Sequence, residues 1–157
     1  MRLILREVRD DDVDALFEQS RDPESVRMAA FTHADPDDRA AHDAHLTRIR
    51  TSPDVTHRAI EVDGELVGTI GTFSIEGDRE ITYWIDRAHW GRGIASLAVQ
   101  AMLELEPERP LLGRAASDNA ASLRVLERAG FVHVDTDVGY ANARGAEIEE
   151  TILRLDA

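Results

Sequence analysis

The chain has 157 residues, with 31 acidic side chains against 18 basic ones and a formal net charge of −13; every basic residue is arginine, and lysine is absent. That charge repels a phosphate backbone and disfavours a direct nucleic-acid binder. No apolar run is long enough for a membrane span, and Leu3-Ile4-Leu5 is too short for a signal-peptide core. The lack of cysteine removes disulfides, thiolate metal sites and a cysteine nucleophile. The length suits a single domain over 1–157 with a core that needs no staples, and the expectation is a cytoplasmic enzyme or binding domain.

In chain order, residues 2–8 read as a strand. Asp10-Asp11-Asp12 offers caps to a helix carrying Val13, Leu16 and Phe17. The stretch Arg21–Ser52 is the least regular. Within it Asp35-Pro36, a cap followed by proline at the first helical position, predicts a helix over about 36–50. On it His42 and His45 read as solvent-exposed rather than as metal ligands, since no third ligand is evident. Residues 56–62 and 65–73 flank Asp63-Gly64 and predict a hairpin with a type I′ turn. Glu76-Gly77-Asp78 turns the chain into a strand over Glu80–Ile85. Behind Gly91-Arg92-Gly93, the spacing of Ile94, Leu97, Ala98, Ala101, Met102 and Leu105 predicts an amphipathic helix stopped by Pro107. Leu111–Ala115 reads as a short buried strand and Asn119–Ala129 as a helix capped by Ser117 or Asp118 and closed by Gly130. Strands over 131–140 and 147–155 complete a mixed sheet with helices packed on it.

The segment Tyr83 to Ser96 is a strand, a short loop, two glycines and a helix start. Glycines tolerate positive φ and close backbone approach. Together with the free N–H groups and positive end of the following helix, they make a cradle for phosphate. Arg92 adds a positive charge, and His89 reads as a loop histidine within reach of a phosphate. The third glycine of a dinucleotide fingerprint is absent, because position 96 is Ser, and no Gly-Lys-Ser/Thr follows as in a P-loop. Further on, Asn119 and Ser122 share one face of a helix's first turn.

Taken together, Glu80–Ile85, Trp90–Ala95 and Asp118–Phe131 resemble the GNAT superfamily of acetyl-CoA-dependent N-acetyltransferases. They resemble most its RimJ/RimL branch, which acetylates the N-terminal alanine of ribosomal proteins. The resemblance implies a mixed α/β (α+β) fold: a central, mostly antiparallel sheet, splayed at the cofactor cleft after a bulge at Tyr83–Ile85 and flanked by about four helices. It implies acetyl-CoA as co-substrate, with no metal. The pyrophosphate would rest on Gly91, Arg92, Gly93, Ile94, Ala95 and Ser96, with Trp90 acting through backbone and packing. The pantetheine arm would run along Trp84 and Ile85, and Asn119 would bond it or hold a water.

The same resemblance makes Ser122, at a place other branches fill with tyrosine, the acid for the leaving thiolate. Glu80 is the candidate base for the amine, with Glu149 and Glu150 in reserve. The implied reaction is acetyl transfer to a primary amine, a protein N-terminus or a small molecule, by direct attack in a ternary complex. A homodimer is one assembly open to it, and neither nucleic acid nor membrane is an expected partner. The alternative is a non-catalytic acyl-CoA-binding or regulatory domain on the same fold.

Overall fold

A computed structural model describes residues 1–157. The elements run β1 (Leu3–Arg6), a 3-10 turn at Asp10–Asp12, α1 (Val13–Ser20), α2 (Pro23–Ala29), α3 (Arg39–Thr51), β2 (Thr56–Val62), β3 (Glu65–Ile75) and β4 (Asp78–Ile85). A second 3-10 turn (Arg87–His89) leads to α4 (Ile94–Leu105), β5 (Leu111–Ala116), α5 (Ala120–Arg128), β6 (Val132–Ala141) and β7 (Ala146–Leu155). The seven strands form one sheet in the order β1-β2-β3-β4-β5-β7-β6. Only β4 and β5 pair parallel, and only over Arg79↔Leu111, Glu80↔Leu112 and Ile81↔Gly113. Beyond Ile81 the two strands part.

Alternation along the strands sends apolar residues to both faces. Ile60, Ile70, Ile81 and Ile85 meet Ile94, Val99 and Met102 of α4 and Leu126 of α5 in the main core. On the other face Ala59 packs with Val8, Leu16 and Leu46 under α1 and α3. The Asp63-Gly64 turn has φ of +51° and +85°, the two positive values of a type I′ hairpin.

The irregular stretch holds the main differences from expectation. There are five helices, and the additional one is α2. Its start is Asp22-Pro23, where the Asp22 side chain accepts from Ser25 N–H and Pro23 takes the first turn. This is the cap-and-proline signal expected at Asp35-Pro36. There the helix begins instead at Arg39, capped by Asp38 through Ala41 N–H at 3.0 Å. Asp12 does not cap α1 with its side chain. Its buried carboxylate accepts from the Arg6 guanidinium at 2.8 and 2.9 Å and from Arg9 N–H at 2.7 Å. The Arg6 bond holds it below the ordinary carboxylate range against the cost of burial.

Candidate active site

The parting of β4 from β5 opens a cavity of about 860 Å³, floored by Ile81 to Ile85 and walled by α2, the start of α4, β5 and α5. That volume lies within the range of small-molecule sites. In an antiparallel pair a residue points both backbone polar groups either at its partner strand or away from it. Asp86 N–H bonds Val67 C=O of β3. Alternation from there turns the backbone groups of Tyr83 and Ile85 away from β3, toward the gap that β5 has left. The β3–β4 register is continuous through these residues, so the expected bulge at Tyr83–Ile85 is absent. The strands separate because β5 follows β7, to which it pairs from Leu111 through Ala116.

Trp90 does more than pack. Its indole N–H donates to Ile85 C=O at 2.9 Å and ties the loop to the end of β4. Gly91 and Gly93 follow, with φ of +77° and +76°. Gly93 is the N-cap of α4 and carries no side chain to satisfy the first-turn amides. A Cβ at either glycine would meet nothing within 4 Å. The free amides of Ile94, Ala95 and Ser96, the helix dipole and that open space fit a phosphate group. Arg124 and Arg128 line the same cavity one helical turn apart. Neither takes part in an ion pair within the chain, whereas ten of the other arginines do. Neither was among the residues expected at the site; their i, i+4 spacing behind Ser122 is the signal in the sequence that marks them. His89 also lines the cavity, buried, with its ring nitrogens 3.3 Å from Asp86 and 3.5 Å from Glu65.

Asn119 caps α5, a place expected for Ser117 or Asp118. Its Oδ1 accepts from Ser122 N–H at 3.2 Å and its Nδ2 donates to Met28 C=O of α2 at 3.3 Å. Its carboxamide is therefore engaged within the protein and locks α2 to α5. Ser122 Oγ lies 2.6 Å from the Tyr83 hydroxyl. Tyr83 comes from the strand opposite, and no linear pattern joins it to Ser122.

Across the cavity Glu80 is buried and accepts from Arg114 Nε at 2.7 Å, while Arg114 also reaches Glu150 at 3.4 Å. Burial pushes the Glu150 carboxyl up, and Arg114 pulls it back only in part. Glu149, the other reserve base, lies in β7 with its side chain exposed. On the far face of β4 a second, open cavity of about 970 Å³ is bounded by α1, α3 and residues 31–38, and shares Phe31, Thr32, Phe73, Thr82, Tyr83 and Trp84 with the first. His42 lines it, largely shielded and edge-on to Phe17, so it is not the exposed residue expected; His45 sits exposed at its rim. Trp84 spans the boundary, its indole N–H bonded to Gln19 C=O.

Residues 2–132 match the model of the acetyltransferase (GNAT) domain. The chain belongs to the GNAT acetyltransferase family. A GNAT relative, described as the uncharacterized N-acetyltransferase p20 of Bacillus licheniformis, is 27% identical over 164 residues, covering 98% of this chain and 92% of the relative. Among solved structures, this GNAT chain is similar to RimJ of Mycobacterium smegmatis in complex with CoA-disulfide (TM-score 0.83, 20% identity, 99% of this chain and 82% of that one). It is similar to RimL, a ribosomal L7/L12 alpha-N-protein acetyltransferase in complex with coenzyme A (0.82, 20%, 98% and 93%). It is also similar to the spermidine N-acetyltransferase of Vibrio cholerae in complex with CoA and spermine (0.81, 15%, 98% and 95%). Likeness at these identities shows the mixed α/β GNAT fold. No helix is long and apolar enough to cross a membrane, and no group of three or more His, Asp or Glu side chains is placed to hold a metal ion.

Proposed function

We propose that this protein transfers the acetyl group of acetyl-CoA to a primary amine by direct attack within a ternary complex. The observation that carries this reading is the convergence on one cavity of three things: the uncapped α4 start behind Gly91 and Gly93, the Tyr83 backbone groups and Ile85 N–H turned away from β3, and the Tyr83–Ser122 hydroxyl pair. Acetyl-CoA supplies an activated acyl group as a thioester. The amides from Gly91 to Ser96 take the pyrophosphate, with Arg92, Arg124 and Arg128 as cations around it. The β4 edge takes the pantetheine arm as an added strand along Trp84 and Ile85. The Ile85 amide donates to the thioester carbonyl oxygen, where negative charge grows during attack. Asn119 serves this site through the α5 cap, by fixing the first turn from which Ser122 projects.

Ser122 protonates the departing sulfur. The amine's proton passes to the carboxylates beside Arg114. Arg114 holds one oxygen of Glu80, so Glu80 takes a proton on the other oxygen or through water. Glu150, with its raised carboxyl, stands next to it as the second acceptor. Cysteine is absent from the chain, so no cysteine acyl-enzyme intervenes, and positioning supplies most of the acceleration. The RimJ/RimL-like pattern in Glu80–Ile85 and Asp118–Phe131 favours a protein N-terminus as acceptor. The spermidine enzyme's likeness and the charge of −13 favour a small cationic amine.

A panel of alanine- and serine-starting peptides, polyamines and amino acids, with free thiol as readout, separates these acceptors. Tight CoA binding without thiol release from any of them is the result expected of a non-catalytic acyl-CoA-binding domain. Replacing Arg124 and Arg128 together by alanine is expected to raise KM for acetyl-CoA about tenfold, the equivalent of about 1.4 kcal/mol, with kcat unchanged, measured by initial rates.

A further inference from the structure

A serine hydroxyl is a poor acid, and alone it gives up a proton reluctantly to a departing thiolate. The fold gives Ser122 a second hydroxyl. Ile81, Tyr83 and Ile85 alternate onto the face of β4 covered by α4 and α5, and Tyr83 packs against the main core there. Its phenol oxygen lies 2.6 Å from Ser122 Oγ, a short bond for two neutral hydroxyls. The bond joins a strand residue to a helix residue 39 positions later in the chain, and both partners line the cavity where the acetyl group would be transferred. At the other end of Ser122, Asn119 holds its backbone N–H and fixes the turn. Burial pushes the phenol above its ordinary value and the Ser122 bond brings it back only in part, so the phenol is protonated at neutral pH.

We propose that Tyr83 donates its O–H to Ser122 Oγ and that the two hydroxyls act in series to protonate the leaving sulfur, an inference that rests on the acetyl-transfer reading above. A serine oxygen that accepts from Tyr83 keeps its own hydrogen free for the cavity. As the amine nitrogen forms its bond to the carbonyl carbon, the carbon–sulfur bond breaks and its electron pair stays on sulfur. Sulfur takes the Ser122 proton, Ser122 takes the Tyr83 proton, and the phenolate regains a proton from water. The proton lost by the amine leaves through the carboxylates beside Arg114. Nothing is oxidised or reduced. Tyr83 touches no substrate atom and acts through Ser122, so it is a positioning residue.

The test compares Tyr83→Phe, Ser122→Ala and the double variant with the wild type in one thiol-release assay. Each single change is expected to lower kcat on the order of a hundredfold, the low end for acid catalysis, with KM for acetyl-CoA within about twofold. The double variant is expected to be no slower than the slower single one, because the two groups act as one unit. Retention of kcat by Tyr83→Phe, or losses that multiply in the double variant, overturns the proposal.

A second probe does not depend on how Tyr83→Phe folds. Tyr83 and Tyr140 are the only tyrosines, and Tyr140 is exposed on β6. In a Tyr140→Phe background, fluorotyrosine labels position 83 alone and makes its phenol more acidic. The alkaline limb of kcat is expected to move to lower pH, and a limb that stays in place overturns the relay. Wild-type turnover is the reference throughout. A loss confined to the variants supports the relay, whereas a wild type that binds CoA and turns over no amine overturns both the acetyl-transfer reading and the relay built on it.

Discussion

Gly93→Val is expected to abolish CoA binding while leaving a folded protein. Gly93 sits at φ +76°, a region where a β-branched residue is strained. A Cβ there projects into open space rather than into a neighbour. The substitution therefore costs the fold only on the order of 1–3 kcal/mol of backbone strain. It places that Cβ in the cradle before α4 and rotates the first-turn amides away from the phosphates. Calorimetric titration should show CoA affinity falling about a hundredfold or more, the usual consequence of misaligning a binding constellation by an ångström. Gly77→Val is the matched control. Gly77 has φ +86°, also with nothing near its Cβ, but lies in the β3–β4 turn away from the cavity. It should lower Tm comparably and leave CoA affinity alone.

Arg79→Met is expected to produce the largest loss of stability. Arg79 Nε donates to the buried Glu106 carboxylate at 2.7 Å, and its other nitrogens donate to Ser74 Oγ and Thr72 Oγ1. The side chains are 10% and 6% exposed. Removing the cation leaves a carboxylate at the end of α4 without its partner inside the protein. Breaking such a buried pair costs about 3–5 kcal/mol, which for a chain of this size lowers Tm by roughly 10 °C in a thermal melt.

Burial raises the Glu106 carboxyl, but the bonds from Thr72 and Arg79 outweigh it and hold the group below its ordinary 4.5. A depressed carboxyl stabilises the fold above its unfolded value and loses that contribution as pH falls through the folded one. The wild type should therefore lose stability below about pH 4.5. Arg79→Met should flatten that acid limb in melts taken across pH.

The β4 strand, the glycine turn and the α4 stripe were legible because each is written locally: alternation, two glycines, and apolar spacing at i, i+3, i+4. The Asp63-Gly64 hairpin was legible for the same reason. The α2 helix was not, although Asp22-Pro23 spells the signal also present at Asp35-Pro36. Two identical local signals compete for one loop-rich stretch. Tertiary contact decided between them, since Asn119 of the α5 cap holds the end of α2 through Met28 C=O.

Asp12 was misread as a cap because its partner, Arg6, belongs to the preceding strand rather than to the helix. Candidate site residues in the glycine turn came from short-range pattern and resemblance. Tyr83, Arg114 and the second cavity needed the sheet. Ser122 meets Tyr83 only because β5 leaves β4 after Ile81 and brings α5 back across the gap. Glu80 meets Arg114 only through the parallel pairing of those same two strands.

In the proposed reaction, acetyl passes from acetyl-CoA directly to an amine in the gap between β4 and β5. Mass spectrometry of both protein and amine after incubation with isotope-labelled acetyl-CoA follows that transfer. The label is expected on the amine alone, with none on the protein at any time and none transferred by Gly93→Val. Label retained covalently on the protein during turnover, or equal transfer by Gly93→Val, would contradict it.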